Sequence, residues 1–521
     1  MTSFDAIVIG GGHNGLVAAG FLARAGKRTL VLEAGERLGG AAELGHIVNR
    51  LSPEVVKGLA IDTAGFGGEL APTVLLDPER PAIVLRGAYG ERIDGVPPHE
   101  AEAWSVMRKK LMGQAAVLKR FLARRPPRPG ELAFGDLVDL GLSGLGLIRN
   151  GRDEARDFAR MLLMNVADIA DEYLSDDRLK GLISFDATLG IHLGPRSPTS
   201  LLGLYYRLTG EANGQSGGQF VPRGGIRAII SALETAAIKS GAQIRLGTRV
   251  ARIVSDRGKA SGIVLENGEQ IAAPIIVSAI HPATTLRTLT APGEIDTHLA
   301  TSIKHMRSKG DAARLTLRLA RLPNFSGVAQ ADLNGRLVIA RSIRHVEEAF
   351  NPAKYGEFSP DPVMEITLPS LADPSLSTDG GAVLSAIVQY APYDLREGWA
   401  SGKPKFLAAI MDVLRATALR DAWIVAGCLT QTIWNIQTGR PVDHGINDYD
   451  IFYFDPDTSW DAEDAVIRRI ASCLDAVDAK VEIRNQARVH LWYPAKHGRP
   501  YPPLTRSTDG IDRFLTANTQ V

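Results

Sequence analysis

The stretch that most constrains this chain runs from Asp5 to Glu33. A short apolar run at 6–9 leads into GGGHNG, which fits the pattern G-x-G-x-x-G, and a run of small and apolar residues follows. A second apolar run, at 29–32, then closes on the acid Glu33. Strand, glycine-rich turn, helix, strand and acid in this order predict a βαβ unit that binds a dinucleotide.

The glycines of this turn have separate predicted roles. Gly10 allows the tight turn, Gly12 lets the backbone approach a pyrophosphate, and Gly15 lets helix and strand pack closely. The helix N-terminus that follows offers free N–H groups and a positive dipole end to that anion. Glu33, 18 residues after Gly15, is placed to accept hydrogen bonds from the ribose hydroxyls. The alternative is a glycine-rich turn that binds nothing.

The acid does not decide which dinucleotide binds, because a ribose-binding carboxylate suits NAD as well as FAD. The next segment, LEAGERLGGAAE at 32–43, has a basic residue followed by paired glycines. Together with GGGHNGLVAA, it resembles the FAD-dependent phytoene desaturase and carotenoid isomerase-like family. The resemblance implies FAD as the cofactor. It also implies FAD contacts from Gly10, Gly12, Asn14, Gly15, Glu33, Arg37, Gly39 and Gly40.

The first 400 residues are predicted to form two domains. Residues 45–200 are mostly helical in pattern, and strand and helix patterns resume at 222–279. The resumed part resembles the family's second FAD-binding segment, which places the backbone of Val250 against adenine. We therefore predict an α/β chain, α+β overall, with a Rossmann-like FAD-binding domain and an inserted substrate domain. The predicted boundaries are 1–70 and 220–300 for the FAD-binding domain, and 71–219 and 301–398 for the substrate domain.

Composition excludes several classes of protein. A formal charge of +1 gives no long-range attraction for nucleic acid, so no nucleic-acid partner is expected. The two cysteines, Cys428 and Cys473, form no C-x-x-C, which excludes disulfide-reductase chemistry. A first strand that begins near residue 5 leaves no room for a targeting peptide, so we expect a cytoplasmic location. The oligomeric state is left open.

Three features of the predicted substrate domain have two interpretations each. The apolar segment Leu137–Ile148 contains a charge and three glycines, so we predict a packed or surface element, with peripheral membrane contact as the alternative. The apolar residues at 162–169 predict a helix face in the core, with a substrate-tunnel wall as the alternative. His192 is predicted to be structural, with proton donation near a flavin as the alternative.

The pattern changes near residue 400. Flavoproteins of this family return to the cofactor with a last glycine-rich segment, and nothing after Tyr393 resembles that segment. Instead, GINDYDIFYFDPD at 445–457 places Asp448 and Asp450 on one face of a predicted strand. Two such carboxylates can hold a divalent cation that clamps a triphosphate. A further predicted strand at 481–490 brings Glu482 as a third acid and Arg488 toward phosphates.

The segments WIVAGCLTQTIWN, GINDYDIFYFDPD and VEIRNQARVHLWY resemble a family of uncharacterised nucleotidyltransferase-like proteins in the DNA polymerase beta superfamily. We therefore predict a small α/β nucleotidyltransferase-like domain at 405–521, whose completeness is left open. Asp448 and Asp450 are its predicted Mg²⁺ ligands, and Glu482 joins them as a catalytic candidate. The superfamily usually has Gly-Ser or Gly-Gly before the acids, whereas Cys428 follows Gly427 here.

The leading functional hypothesis is an FAD-dependent oxidoreductase of the dehydrogenase, desaturase or isomerase kind. The resemblance implies hydride transfer at flavin N5 and an apolar, polyene-like or lipid-like substrate. The sequence has no second dinucleotide fingerprint, so oxygen and quinones are the candidate electron acceptors, and no catalytic acid or base is assigned. Two alternatives stay open: a metal-dependent nucleotidyltransferase with an inert flavin module, and a non-catalytic binding protein.

Overall fold

A computed structural model describes residues 4–122, 152–291, 293–306, 310–319, 322–325, 327–377, 381–418, 423–425, 440, 449–455, 457–474, 481–505, 509 and 513. The chain divides into two compact units. The first unit comprises Met1–Asp77, Pro81–Pro323 and Gly327–Val413, and the second comprises Pro78–Arg80, Asn324–Ser326 and Leu414–Val521. The domain boundaries predicted from the sequence stay predictions.

The strands and helices of the described residues confirm the predicted α/β class, α+β overall. The strands are β1 (Ala6–Ile9), β2 (Thr29–Leu32), β3 (Thr73–Leu75), β4 (Ile83–Arg86), β5 (Arg92–Asp94), β6 (Glu211–Ala212), β7 (Gln215–Ser216), β8 (Gln243–Arg245), β9 (Val250–Asp256), β10 (Lys259–Leu265), β11 (Gln270–Ala272), β12 (Ile275–Ser278), β13 (Ala312–Leu319), β14 (Arg336–Ile339), β15 (Met364–Thr367), β16 (Ala382–Gln389), β17 (Trp423–Val425), β18 (Tyr449–Tyr453) and β19 (Val481–Asn485). The helices are α1 (His13–Arg24), α2 (Pro53–Leu59), α3 (Pro98–Leu122), α4 (Arg152–Met161), α5 (Val166–Tyr173), α6 (Asp177–Thr188), α7 (Leu201–Leu208), α8 (Gly225–Lys239), α9 (Pro282–Thr284), α10 (Thr297–His305), α11 (Ile343–Ala353), α12 (Trp399–Ala418), α13 (Trp460–Leu474) and α14 (Val489–His497).

The predicted βαβ unit is present as β1, α1 and β2, in a parallel sheet of order β12-β1-β2-β8. Every residue of β1 and β2 is buried, as expected for a parallel sheet that is covered on both faces. Val8 and Val31 face α1, where they pack with Ala19 and Ala23. On the opposite face, Ile7 and its neighbours pack against the antiparallel sheet β11-β10-β9.

A second sheet of the first unit has seven strands in the order β13-β16-β15-β14-β3-β4-β5. Its strands come from two parts of the chain, 73–94 and 312–389, so the sheet forms only when distant segments meet. Side chains of α3, α5, α6, α7 and α11 form one hydrophobic core with β3, β4 and β14. The predominantly helical pattern expected at 45–200 therefore missed β3, β4 and β5, which are too short to show a clear alternation.

The apolar run at 162–169 is not one helix face. Helix α4 ends at Met161, and α5 begins at Val166 after a turn. The side chain of Asn165 caps α5 by accepting a hydrogen bond from Asp168 N at 2.9 Å. Val166 is fully buried, whereas Leu163 in the turn is 73% exposed. The single helix was therefore a wrong prediction, because the asparagine cap restarts the helix within the apolar run. The predicted core location is confirmed for Val166 and Ile169, which are fully buried.

In the second unit, β17, β18 and β19 form a sheet in which β18 and β19 run parallel. Helix α13 packs on β19, with Tyr453, Val466 and Ile483 at the centre. The predicted strand at 481–490 ends early, at Asn485. The Asn485 side chain accepts from Ala487 N and Asp455 N at 3.0 Å each, so it directs the chain into a turn and α14.

Within the described ranges, no helix combines the length and the hydropathy needed to cross a bilayer. Leu137–Ile148, the segment singled out for membrane contact, lies outside the described residues.

Candidate functional site

The turn between β1 and α1 is built by glycine. Gly10 has a φ of 100°, a conformation that other residues rarely adopt. A Cβ atom on Gly15 would lie 1.9 Å from the carbonyl oxygen of Gly10, so only glycine lets α1 start this close to β1. Gly12 is the N-cap of α1, no side chain caps the helix there, and its first turn has no acidic residue. The helix N-terminus is therefore suited to an anionic ligand.

Glu33 joins this turn to the next loop through its carboxylate. Gly11 N donates to Glu33 Oε2 at 2.7 Å, and Gly35 N donates to Glu33 Oε1 at 2.8 Å. A Cβ atom on Gly11 would lie 2.4 Å from a methyl group of Leu38. Gly11 was not among the predicted cofactor residues, although it lies inside the glycine run. The carboxylate is thus fixed at the end of β2, where a ribose-binding acid is expected.

The second glycine loop pairs with the first through the backbone. Gly39 N donates to Gly11 O at 3.0 Å, and Gly12 and Gly39 form a parallel β-bridge. Gly39 has a φ of 122°, a conformation that strongly favours glycine, and Gly40 lies in the left-handed region at a φ of 54°. A Cβ atom on Gly12 would meet only Gly39 O, at 3.7 Å. The two loops therefore form one glycine-lined cradle, which fits the phosphates of a dinucleotide.

The other predicted FAD contacts lie around this cradle. Val250 is buried at the start of β9, and Thr248 N, two residues earlier, donates to Glu33 O at 2.7 Å. Asn14 in the first turn of α1 and Arg37 in the second loop are exposed. The fold thus brings the predicted cofactor residues to one end of the parallel sheet. Their contacts with FAD stay predictions.

A cavity of about 140 Å³ lies in the first unit and is called the polar cavity here. Segment 45–49, which follows the second glycine loop, forms part of its wall, and β13, β15 and β16 form another part. Its lining includes His46, Arg207, Arg314, Glu365 and Ser385. No sequence motif marks this set, because its members come from five separate segments.

Arg314 and His46 are in direct contact inside the polar cavity. Arg314 Nη2 donates to Ser385 Oγ at 2.6 Å and also contacts His46 Nε2. Burial, together with the positive charge of Arg314, lowers the pKa of His46 to about 4. His46 is therefore neutral at pH 7 and adds no charge to the cavity.

A buried ion-pair network adjoins the polar cavity. Arg336, only 1% exposed, pairs with both Asp186 and Glu365. Arg207 Nε lies 3.3 Å from Asp186 Oδ2, and Tyr89 donates to the same oxygen at 3.0 Å. Burial by itself would raise the pKa of Asp186, but the two guanidinium groups hold it below its usual value. Asp186 is therefore ionised.

The imidazole of His192, for which proton donation is the alternative role, is oriented by a buried acid. His192 Nδ1 lies 2.9 Å from Asp311 Oδ2, and the Asp311 side chain is 2% exposed whereas that of His192 is 53% exposed. Burial raises the pKa of Asp311, and the hydrogen bond from His192 partly offsets this effect. The pair fits the predicted structural role, and proton donation stays a hypothesis.

A larger cavity of about 660 Å³, called the apolar cavity here, lies between β13 and α12. Pockets for drug-sized ligands have volumes of roughly 300–1,000 Å³. Arg314 borders the apolar cavity as well as the polar one. The apolar side chains around it include Ala312, Leu315, Pro392, Trp399, Phe406 and Ile410.

The predicted metal site of the second unit is only partly described. Asp448 lies outside the described residues, and the backbone of Asp450 is in register with Glu482 on the neighbouring strand. Arg484 Nε donates to Glu482 Oε1 at 2.9 Å. Among the residues that the structure describes, no group of three or more His, Cys, Asp or Glu side chains could hold a metal ion.

The structure contradicts the predicted role of Arg488. Its side chain is buried, with Nε 3.0 Å from Glu463 Oε2 and the guanidinium 4.2 Å from the centre of the Trp460 ring. The prediction that Arg488 reaches phosphates was therefore wrong, because the early end of β19 turns this residue into the core.

Three family models match the chain. An NAD(P)-binding Rossmann-like domain matches residues 8–57, and a flavin containing amine oxidoreductase matches 117–310. A nucleotidyltransferase model matches 412–521. These matches agree with the predicted division into a flavoprotein part and a nucleotidyltransferase-like part.

Similar proteins include several oxidoreductases. Pyridine nucleotide-disulfide oxidoreductase domain-containing protein 2 of Rattus norvegicus is 26% identical over 499 residues, which cover 87% of this chain and 86% of that protein. The zeta-carotene-forming phytoene desaturase of Myxococcus xanthus is 27% identical over 294 residues, which cover 52% of each chain. Among solved structures, putrescine oxidase bound to putrescine aligns with 15% identity and a TM-score of 0.47, over 80% of this chain and 82% of that one.

The match to the rat protein extends beyond the predicted change near residue 400. Because 87% of 521 residues is about 453, the aligned part reaches into the residues that the nucleotidyltransferase model also matches. The resemblance to that relative therefore does not stop at the change in pattern near residue 400. Taken together, the cradle, the family models and the relatives support a flavin-dependent oxidoreductase that is similar to amine oxidases and phytoene desaturases, with a region at 412–521 that is similar to nucleotidyltransferases.

Proposed function

We propose that this chain uses FAD to oxidise or reduce an apolar small molecule in the cytoplasm. The observation that carries the proposal is the glycine cradle, in which Gly12 and Gly39 are bridged and Glu33 is held at the edge. The apolar cavity of about 660 Å³ in the same unit supports an apolar substrate. The relative named as a phytoene desaturase supports the same substrate class.

The residues of the cradle have distinct proposed tasks. The N-terminus of α1, with Gly12, binds the pyrophosphate, and Glu33 accepts hydrogen bonds from the ribose. Arg37 and the Gly39–Gly40 loop enclose the cofactor, and the backbone of Val250 contacts the adenine. When bound, FAD supplies the two-electron chemistry, including hydride transfer, and the chain supplies binding, orientation and exclusion of water.

Changing Glu33 to Gln should weaken FAD binding by about 10- to 100-fold, since hydrogen bonds to a charged group contribute roughly 1.5–3 kcal/mol. The amide has a single acceptor oxygen, whereas the carboxylate accepts from both Gly11 N and Gly35 N. Titration of purified protein with FAD, followed by flavin fluorescence, measures the change. Absorbance at about 450 nm after desalting shows whether the protein retains FAD.

The matched control for this experiment is Glu36→Gln. Glu36 is an exposed acid in the same loop, and this variant should bind FAD as the wild type does. An FAD affinity that is the same in Glu33→Gln and wild type would remove Glu33 from the site. Wild-type protein that retains no flavin after saturation with FAD would contradict the oxidoreductase function itself.

For the second unit we propose a metal-dependent nucleotidyltransferase activity, supported by the family match at 412–521 and by the register of Asp450 with Glu482. Asp448 and Asp450 would hold Mg²⁺, with Glu482 as the third acid. When bound, Mg²⁺ stabilises the charge on the triphosphate. The nucleotidyl group of an NTP would pass to an acceptor, with release of pyrophosphate.

The change Asp450→Asn should reduce Mg²⁺-dependent pyrophosphate release by at least about 100-fold, since it removes a carboxylate that holds the metal. Pyrophosphate is measured with a coupled phosphate assay for each of the four ribonucleoside triphosphates. Asp464→Asn is the control, because Asp464 pairs with Arg468 on the surface of α13. Release that is absent from the wild type, or equal in wild type and Asp450→Asn, contradicts this activity.

A further inference from the structure

Arg314 is the residue at which the polar and apolar cavities meet. Its strand, β13, pairs with β16, and Arg314 is in register with Ile387. Ile387 is in turn opposite Glu365 on β15, so these side chains share one face of the sheet. Arg314 borders both cavities, and Lys403 is a second cationic residue in the lining of the apolar cavity.

Much of the hydrogen-bonding capacity of Arg314 is unused. Only Nη2 has partners, Ser385 and His46, and within the described part of the chain the Nε and Nη1 groups have none. No described carboxylate forms an ion pair with Arg314, because the nearby Glu365 is bound by Arg336. Nε–H and Nη1–H lie on opposite sides of the guanidinium, and each can donate a single charge-assisted hydrogen bond to an oxygen of an anion.

The charges around the polar cavity do not balance. Three guanidinium groups, those of Arg207, Arg314 and Arg336, face the two carboxylates of Asp186 and Glu365. Asp186 pairs with Arg207 and Arg336. Glu365 pairs with Arg336 and also attracts Arg314 from within the same cavity, so two carboxylates are shared among three positive charges. A half-buried charge without a counter-charge is costly, and a bound anion would remove that cost.

We propose that Arg314 binds the carboxylate of the substrate, whose apolar part fills the larger cavity. The proposal rests on the proposed function and narrows its substrate class to amphiphiles with one negative charge. The polar cavity, about 140 Å³, has the volume of roughly five water molecules. It accommodates a carboxylate and a few carbon atoms but excludes a long chain, which assigns the tail to the apolar cavity of about 660 Å³.

Three probes of equal length test this assignment: octanoate, octan-1-ol and octylammonium. Binding to the purified full chain is measured by isothermal titration calorimetry, with and without added FAD. We expect octanoate to bind at least about tenfold more tightly than octan-1-ol, and octylammonium to bind more weakly than both. Acetate should bind much more weakly than octanoate, because it lacks the apolar tail.

The change Arg314→Gln should lower the affinity for octanoate by about 10- to 100-fold and leave that for octan-1-ol unchanged. Arg344→Gln is the control, because Arg344 is 85% exposed on α11. Arg314→Met keeps most of the side-chain length without the charge and should lose the same octanoate affinity, so it provides the test if the glutamine variant does not fold. Circular dichroism establishes folding for each variant.

Equal affinities for octanoate and octan-1-ol in the wild type would overturn the anion subsite. An octanoate affinity that Arg314→Gln leaves unchanged would also overturn it. Flavin absorbance of the same samples separates this result from the proposed function. Retained FAD without discrimination between the probes overturns the subsite only, whereas octanoate selectivity without FAD overturns the oxidoreductase function only.

Discussion

Replacing Gly15 with alanine should abolish FAD retention and lower the free energy of unfolding by about 1–3 kcal/mol, the usual cost of overpacking. The new Cβ atom would lie 1.9 Å from Gly10 O and 3.3 Å from the side chain of Ala279. No rotamer relieves the closer contact, because both atoms belong to the backbone or are fixed by it. The start of α1 must move away from β1, which opens the pyrophosphate-binding turn. Absorbance after desalting and urea unfolding measure the two effects.

Gly113→Ala is the control for this substitution. Gly113 lies within α3, and a Cβ atom there would meet no other atom within 4 Å. Alanine is a better helix former than glycine, so this variant should be more stable than the wild type by about 0.5–1 kcal/mol. If Gly15→Ala binds FAD as tightly as the wild type does, the turn tolerates a side chain at this position. That result would contradict the proposal that close packing at Gly15 is needed for FAD binding.

The second large effect is expected from Arg336→Met. Its guanidinium is 1% exposed and pairs with Asp186 and Glu365, so the variant leaves buried carboxylates without this partner. Breaking a buried ion pair on one side costs about 3–5 kcal/mol. We expect a decrease of that size in the free energy of unfolding at pH 7, measured by urea denaturation. Asp186 keeps Arg207 at 3.3 Å, which limits the loss.

The destabilisation expected for Arg336→Met should depend on pH. In the wild type the pKa of Asp186 is held below its usual value of 3.8, so its stabilising effect is present above pH 3.8 and lost as the pH falls through the lowered pKa. Without Arg336, ionisation of Asp186 stabilises the folded state less. The difference between variant and wild type should therefore shrink below about pH 4.

Arg344→Met serves as the control for Arg336→Met. Arg344 and Glu348 form an exposed pair within one helix, so its loss should leave the free energy of unfolding nearly unchanged. A decrease in Arg336→Met no larger than in this control would mean that the network around Asp186 contributes nothing to stability.

The nucleotide-binding part could be predicted from the sequence because its signals are local. Strand β1, the glycine turn, α1 and β2 lie within residues 6–32, and each has its own pattern. The physical reasons are equally local: a positive φ at Gly10 and a close approach at Gly15. Glu33 follows directly, so its place at the end of β2 needed no long-range information.

The polar cavity could not be predicted, because its residues are far apart in the sequence. His46, Arg207, Arg314 and Glu365 meet only after β13, β15 and β16 have paired and docked on segment 45–49. Alternation along β13 predicts that Arg314 shares a face with Ala312, but not what that face meets. A charged residue within an otherwise half-buried strand was the available signal.

Other structural features that the sequence patterns did not predict also depend on contacts between distant segments. Strands β3, β4 and β5 have three or four residues each, which is too few for a periodic pattern. The end of β19 depends on hydrogen bonds between Asn485 and Asp455, 30 residues apart. Sequence patterns show which residues alternate along a segment. The strand pairing and the strand end described here depend instead on hydrogen bonds to backbone groups that are distant in the sequence.

The position of β1 in its sheet also governs the order of events during synthesis. β1 lies between β2 and β12, and Ile9 O accepts from Ala279 N at 2.8 Å. Ribosomes add about 5–20 residues per second, so roughly 13–55 s pass between the emergence of β1 and that of β12. The side chains that back the glycine turn, Ala279 and Ile280, arrive with β12. Helices α3 to α7 of the first unit are therefore synthesised before the residues that complete the glycine cradle, and we expect FAD to bind only after β12 has been added.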